Sequence, residues 1–373
     1  MLLCVCIQPL PTSLLLKAAV RRLSSCGRKF QEISLGKGVF VNSFDKNDLL
    51  ALEKPCHVLS HPNGVAASPR ALVNSPYCAE KEAYTVPASA SDGTDYPLYL
   101  LNRLDSATSG VLLLSANKAV AASVRAQFSE RAVKKRYIAL VFGHLAKNAE
   151  IWRSAVVVRR SKEGEVRLSN SSAQTQTRTQ TTSKAVRGKK AAGAKEAVTR
   201  VRVLKRLQLR LPALTDQDTS TATATATAAA AAATSFLPTR VRIPMSVVEL
   251  QPVTGYTHQL RFQCAERGSP IVGDRTYGNF TMNKKVEQMA AAVGAAAPGA
   301  VGTPGSTAGA ATGSGTQDSS DLLESMRKES RLRLFLHCHQ ISLSYHHLGQ
   351  KHKFATSSQT LDEMLPPSLL KHL

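Results

Sequence analysis

The sequence of 373 residues lacks the patterns that identify several large protein classes. No apolar run approaches the roughly 18–20 residues that a membrane-spanning helix needs. The seven cysteines are odd in number and form no C-x-x-C pair, which argues against a disulfide framework or a zinc site and favours a reducing compartment. His57 and His61 have a metal-site spacing, but Pro55 and Pro62 argue against the helix it requires. Neither G-x-G-x-x-G nor a Walker loop is present, so we expect no cofactor and no metal.

Acidic residues are also scarce. The chain has 26 Asp and Glu against 48 Lys and Arg, a formal net charge of +22. A chain this basic calls for a polyanionic partner. Nucleic acid fits that requirement, and an anionic membrane surface is the alternative.

The amino terminus contains no acidic residue before Glu32. Basic residues there alternate with Ser and Leu, and Leu15, Ala19 and Leu23 fall on one helical face with Arg22 off it. This composition is typical of a mitochondrial transit peptide, so residues 1–31 are predicted to be a presequence that directs the protein to the matrix. A secretory signal is the first alternative, although its positive charge would precede the apolar run. An unprocessed basic tail is the second.

Residues 98–115 read LYLLNRLDSATSGVLLLS and hold two strand-like apolar runs around a charged pair. Charges between two core strands are costly unless they are paired or used. Residues two apart on a strand point to one face, so we expect Arg103 and Asp105 to lie side by side. These residues alone fit both a structural ion pair at a strand end and a functional pair.

The run N-R-L-D-S-A-T-S-G-V-L-L-L within this stretch resembles the central motif of the RluA-type pseudouridine synthases, H-R-L-D-x-x-T-S-G-hydrophobic-L-L. In that family the aspartate is the catalytic nucleophile, which implies this role for Asp105. Asn102 stands where the family usually has His. The resemblance also implies an α+β fold, with one catalytic domain built on a mixed, largely antiparallel bent sheet flanked by helices.

Four further segments resemble the family's other motifs, in the family's order. They are LLALEKPCHVLSHPNG at residues 49–64, K-x-Y-x-A around Tyr137, TGYTHQLRFQCAERGSPIVGDRTYG at residues 254–278, with the family's G-D step near its end, and RLFLHCHQISLSY at residues 333–345. The resemblance implies that Tyr137 lies against the target base and that Arg261 pairs with the catalytic aspartate. Tyr256 departs from the family, which usually has Arg there. The residues implied to bind RNA or substrate are Arg103, Lys54, Thr108, Lys135, His258 and Gln259.

Local patterns predict several elements independently of the resemblance. Residues 117–130 carry apolar positions at helical spacing, with Asn117 as N-cap. Thr254 or Thr257 is predicted to cap a second helix that carries Arg261. Residues 199–211 alternate apolar and basic side chains, which indicates a strand with one wet, positive face.

The catalytic domain is predicted to span residues 40–373, with low-complexity insertions at about 161–196, 212–238 and 285–320. These segments have too few large apolar side chains to offset the entropy of ordering them, so we expect them to be disordered. Residues 68–97 carry little periodic signal and are predicted to form a long surface connection.

The sequence therefore favours an RNA pseudouridine synthase that works without a cofactor or a metal and does not bind membranes. Mitochondrial ribosomal RNA is the first expectation for its substrate and tRNA the second, with ribosomal assembly intermediates as further partners. The main alternative is a non-catalytic RNA-binding ribosome-assembly factor on the same fold. A basic scaffold whose tails bind nucleic acid is a third reading.

Overall fold

The computed structural model describes residues 30, 33–62, 68–87, 94–160, 166–170, 194–210, 242–295, 314–327 and 332–370. Within these residues thirteen strands form one sheet. The strands are β1 Phe40–Phe44, β2 Leu49–Lys54, β3 Tyr77–Cys78, β4 Ala83–Val86, β5 Tyr96–Leu100, β6 Ser109–Ser115, β7 Lys134–Phe142, β8 Ala149–Arg160, β9 Val166–Asn170, β10 Lys195–Arg210, β11 Arg242–Pro252, β12 Leu336–His347 and β13 Gln350–Ser357. The helices are α1 Lys118–Ser129, α2 Gln259–Glu266, α3 Phe280–Ala295, α4 Ser314–Arg327 and α5 Pro367–Leu370, with a 3₁₀ turn at Leu361–Glu363.

The strand order is β3-β4-β5-β6-β12-β7-β11-β10-β8-β9, with β2 joined to β6, β1 to β2 and β13 to β12. Among the strands of the described segments, β6 and β12 form the one parallel pair, and the other pairs are antiparallel. This confirms the predicted α+β class with a mixed, largely antiparallel sheet.

Buried apolar side chains form two large clusters, one on each side of the middle of the sheet. One cluster centres on β2, β6 and α1, and the other on β7, β10, β11, α3 and α4. Tyr137 on β7 packs against both clusters. The two halves of the core therefore meet at this side chain, which the sequence singles out as part of the site.

The predicted helix after the central motif is confirmed. Helix α1 begins after Asn117, whose side-chain oxygen accepts hydrogen bonds from the backbone N–H groups of Ala119 and Val120. These bonds satisfy two donors that the first helical turn leaves free. Val120 and Val124 are fully buried against the sheet, as their spacing predicts.

The parallel contact between β6 and β12 depends on Gly110. Its φ is +110°, and a Cβ added there would lie 2.3 Å from the carbonyl oxygen of Cys338. Only glycine lets the two backbones approach this closely. The start of β6, and with it the loop that precedes this strand, is thereby fixed against β12.

Two of the predicted insertions are too wide. Strand β9 lies inside 161–196 and pairs with β8, burying Leu168. Helices α3 and α4 extend into 285–320 from both sides, and Val286 and Met289 are fully buried. A few well-spaced apolar side chains were enough to dock these elements. The insertion at 212–238 lies outside the described residues.

The predicted surface connection at 68–97 is also wrong over most of its length. Ala71, Leu72 and Val73 are fully buried, and β3 and β4 pair through Tyr77 and Tyr84. Short segments of this kind give too little periodicity to be recognised. Residues 1–31, which the sequence predicts to be a presequence, lie outside the described residues except for Phe30, which is 2% exposed and packs on Phe44 with ring centroids 5.7 Å apart. Any cleavage that preserves this contact must fall before Phe30.

In the segments that the structure describes, no helix is both long and apolar enough to cross a membrane.

Candidate active site

The loop between β5 and β6 carries Asp105 and is held by backbone-directed hydrogen bonds. Ser60 Oγ donates to the carbonyl of Leu104 at 2.7 Å and accepts from its N–H at 3.0 Å. The N–H of His57 donates to the carbonyl of Ser106 at 2.7 Å. The two residues that flank Asp105 are thus hydrogen-bonded to the segment after β2. These bonds fix the position of the backbone that carries the Asp105 carboxylate.

Arg103 and Asp105 do not lie on a strand, in contrast to the prediction that a strand places them side by side. Arg103 is exposed and has its guanidinium 3.5 Å from the ring of His61. Asp105 points toward α2 instead. The prediction assumed the two-residue side-chain period of a strand. Because both residues lie in a loop, that period does not apply and the predicted placement of the pair is wrong.

Asn102, the departure from the family motif, has a structural task. Its side-chain oxygen accepts a hydrogen bond of 2.8 Å from the N–H of Leu113 on β6. This bond connects the start of the loop, at Asn102, to the strand that follows the loop. Asn102 thus supports the loop that holds Asp105.

The Asp105 carboxylate lies between two basic side chains of the α2 segment. Its Oδ2 is 3.6 Å from Arg261 Nη1 and 3.6 Å from His258 Nε2, and its side chain is 27% exposed. The predicted pairing of Arg261 with this aspartate is therefore seen in the geometry. An anionic oxygen beside a guanidinium and open to solvent is suited to nucleophilic or proton-transfer chemistry.

Arg261 is itself anchored by a second carboxylate that the sequence analysis did not assign to the site. Its Nε and Nη2 donate to the two oxygens of Asp274 at 2.8 Å each, and the side chains are 7% and 1% exposed. Burial lowers the pKa of Arg261, but the hydrogen bonds and charge of Asp274 outweigh it and raise that pKa. Burial likewise raises the pKa of Asp274, and its bonds to Arg261 bring it below the usual value. The pair stays charged and leaves Arg261 Nη1 for Asp105. The G-D step of the third motif was the available signal.

The helix start around His258 differs from the prediction. Neither Thr254 nor Thr257 caps α2: the N-cap position is His258, in a left-handed conformation with φ of 59°. Thr254 Oγ1 instead donates to Gln259 Oε1 at 2.8 Å. A left-handed non-glycine residue is strained and is typical of functional sites. The His258 ring lies beside Asp105 and beside the Tyr277 ring, whose centroid is 5.7 Å from its own.

Tyr137 forms the wall of the cleft opposite α2. Burial raises the pKa of its phenol well above the usual value, with Cys338 and Asp105 adding to the effect. The ring is therefore a neutral surface against which a base can lie. Lys135, two residues earlier on the same face of β7, places its Nζ 5.8 Å from the centroid of the Phe128 ring.

These groups line one open cleft with a volume of about 960 Å³. Its lining includes three basic side chains besides Arg261, namely Arg103, Arg131 and Lys135. Arg131 was missed by the sequence analysis, because nothing local marks a residue after a helix end as part of a cleft. The predicted site residues that line the cleft are Arg103, Asp105, Thr108, Lys135, Tyr137, His258, Gln259 and Arg261.

Lys54 and Gln259 are turned inward, which differs from an RNA-contacting role. The Lys54 side chain is fully buried, and its Nζ donates to the carbonyls of Pro55, Val58 and Ser106 at 3.0, 2.8 and 3.1 Å. Gln259 touches the cleft, but it is 3% exposed and its amide bonds within the protein. Lys54 supports the Asp105 loop from below and has no surface for a phosphate.

Among the described residues, no group of three or more His, Cys, Asp or Glu side chains could hold a metal ion. What the cleft offers is a carboxylate, two basic partners and an aromatic wall.

Comparison with known families gives one match to the RNA pseudouridylate synthase family, over residues 48–266. The chain is 30% identical over 198 residues to RNA pseudouridylate synthase domain-containing protein 1 of Homo sapiens, covering 53% of this chain and 49% of that protein. It is 24% identical over 242 residues to tRNA pseudouridine synthase C of Haemophilus ducreyi, covering 65% and 75%. The matched region thus spans about half the length of the human relative.

Solved structures include human RNA pseudouridylate synthase domain containing 1, which superposes with a TM-score of 0.48 at 19% identity and covers 88% of this chain and 86% of that one.

Proposed function

This chain belongs to the RNA pseudouridylate synthase family, and from that premise we propose that it isomerises uridine to pseudouridine in RNA. The observation that carries the proposal is the setting of Asp105. Its carboxylate stands in an open cleft, 3.6 Å from a guanidinium that a second carboxylate anchors. The aspartate of the motif thus keeps the surroundings that a nucleophile requires, and an RNA-binding protein without chemistry would have no use for them.

The reaction rearranges bonds within one nucleoside. The bond from ribose C1′ to uracil N1 breaks, the base turns, and a bond forms from C1′ to C5. The proton on C5 is lost and N1 gains one, so no electron is gained or lost overall. Asp105 would act as the nucleophile, while Arg261 orients the carboxylate and Tyr137 supports the base during its rotation.

The target uridine must leave its stack to enter the cleft. Enzymes that act on a base extrude it into a pocket, at a cost of a few kcal/mol. Arg103 and Arg131 would hold the flanking phosphates, and Thr108, Lys135 and His258 would contact the nucleotide inside. This division of roles predicts binding that weakens steeply with salt.

We further propose that the substrate is mitochondrial ribosomal RNA in the matrix, with tRNA second. The acid-free, basic residues 1–31 support import. The net charge of +22 suits a large RNA presented in ribosomal assembly intermediates. The tRNA alternative draws support from the relatives named tRNA pseudouridine synthase C.

The test is transcriptome-wide pseudouridine mapping in cells that express either the native protein or Asp105→Asn alone. The expected result is the loss of one or a few discrete sites in the variant, in mitochondrial ribosomal RNA. Loss of sites in tRNA would keep the activity and replace the substrate. An unchanged map in cells that nevertheless need the protein would contradict catalysis and favour the assembly-factor alternative.

A further inference from the structure

The face of the sheet that points away from the catalytic cleft carries a basic patch. Successive side chains of a strand point to opposite faces, so Arg136 lies on the face opposite Tyr137. Leu250 pairs with Tyr137 across β7 and β11, which places Glu249 and Gln251 on the far face as well. These three residues begin a surface that the active site does not use.

The register of β10 adds two arginines to this surface. Arg200 lies opposite Gln251 on β11 and opposite Ile151 on β8, and Arg202 lies opposite Glu249. We call Arg136, Arg200, Arg202, Glu249, Gln251 and Ile151 the outer patch. It includes the positive strand face that the sequence predicts for residues 199–211.

The charge of the outer patch is not cancelled within the described part of the chain. Its one carboxylate, Glu249, is 5% exposed and accepts from Arg202 at 3.2 Å and from Gln251 at 2.7 Å. Arg136 and Arg200 are exposed, and no carboxylate among the described residues lies within 4.0 Å of either guanidinium. The outer patch therefore presents two exposed guanidinium groups that no carboxylate of the described residues neutralises.

The shape of the surface suits a nucleotide. A shallow depression of about 410 Å³ opens between β8, β10 and β11, and its charged lining residues are Arg200, Arg202, Glu150 and Glu249, with Ile151 beside them. Ile151 is 55% exposed, which gives the depression an apolar side next to its charges. Farther along the same face a bulge in β10 brings Lys205 to Asp318 of α4 at 2.8 Å. Among the described residues, this helix covers the sheet around Lys205.

We propose that the outer patch is a second RNA-binding surface, which holds a part of the substrate RNA remote from the uridine in the cleft. Arg136 and Arg200 contact backbone phosphates, and Ile151 packs on a ribose or base face. The inference rests on the proposed function, since it needs an RNA substrate. If the outer patch binds RNA, the RNA passes around the edge of the sheet. A long RNA then contacts both faces of the sheet, whereas a short RNA contacts only the face with the cleft.

The experiment compares two double variants in the Asp105→Asn background, which prevents turnover. Arg136→Glu/Arg200→Glu alters the outer patch. Lys118→Glu/Lys284→Glu changes two exposed lysines on α1 and α3 and gives the same net charge. Binding is followed by fluorescence anisotropy against labelled uridine homopolymers of about 5 and about 30 nucleotides over a range of KCl concentrations. Thermal unfolding shows that each variant folds, and Arg136→Ala/Arg200→Ala repeats the test without introducing acidic groups.

The outer-patch variant is expected to bind the long RNA at least about tenfold more weakly, with a salt slope lower by about 1.4, or 0.7 for each lost phosphate contact. It should bind the short RNA like the lysine variant. Equal weakening by both variants, or unchanged binding of the long RNA, would overturn the outer patch and leave the proposed function intact. In that case an acidic protein would replace RNA as the expected partner of the outer patch. No binding of either RNA by the parent protein would overturn the RNA substrate itself, and the outer patch with it.

Discussion

Replacement of Lys54 by Met should remove a pH dependence of folding that the native protein has. Lys54 is fully buried beneath the Asp105 loop, with its Nζ bonded to three carbonyl oxygens. Burial lowers the pKa of this amine to about 7 from an ordinary 10.5, against the opposing attraction of Cys56 and Asp105. Met has a similar length and no charge, so it keeps the packing and deletes the titration.

The sign follows from which state binds the proton more tightly. Between pH 7 and 10.5 the unfolded chain holds a proton on Lys54 that the folded protein releases, so stability rises with pH across this window and is flat below it. The slope approaches about 1.4 kcal/mol per pH unit. Allowing for the half-titrated start, the gain from pH 7 to pH 9 is about 2 kcal/mol.

The assay is urea unfolding of both proteins at pH 7, 8 and 9, with the free energy of unfolding of Lys54→Met subtracted from that of the native protein. The difference cancels all other titrating groups and should grow by about 2 kcal/mol. Lys118→Met, at an exposed lysine, should give a difference that does not change with pH. A constant difference for Lys54→Met would refute the reasoning, because it would mean that the three carbonyls keep the ammonium charged in the folded state.

Three other changes test the site and its support. Asp274→Asn leaves the Arg261 guanidinium buried without its partner, so thermal and urea unfolding should show a loss of about 3–5 kcal/mol, together with a fall in turnover. Tyr137→Phe should keep turnover within about threefold, because the neutral ring is what the wall supplies, whereas Tyr137→Ala should lose about two orders of magnitude in single-turnover kinetics. Gly110→Ala places a Cβ against the Cys338 carbonyl and should abolish soluble expression, and soluble protein of native stability would contradict the described contact between β6 and β12.

The sequence indicated the fold class and most of the cleft because these depend on local motifs. Asp105, Tyr137 and Arg261 each stand in a contiguous run with family resemblance, and the structure brings all three to one cleft. The N-cap at Asn117 was predictable for the same reason, since a cap acts on the next two or three residues.

The parts that could not be predicted depend on partners that are distant in the chain. Lys54 binds the carbonyl of Ser106, 52 residues away, so its strand pattern did not show that it points inward. The G-D step marks Asp274 as part of a motif, but its anchoring of Arg261 requires the turn after α2 to fold back onto the helix, and the motif spacing does not show that contact. The short strands at 68–97 are stabilised by pairing with each other and with β5 rather than by their own periodicity.

The most direct test of the central claim is tritium release from RNA labelled at uridine C5, because formation of the bond from C1′ to C5 expels that hydrogen. Total RNA from cells without the protein, labelled with [5-³H]uridine, would be incubated with the purified native chain and with Asp105→Asn. We predict release of tritium to water by the native chain and none above background by the variant. Equal release by both would contradict the role of Asp105, and no release by either would contradict the proposed activity on these RNAs.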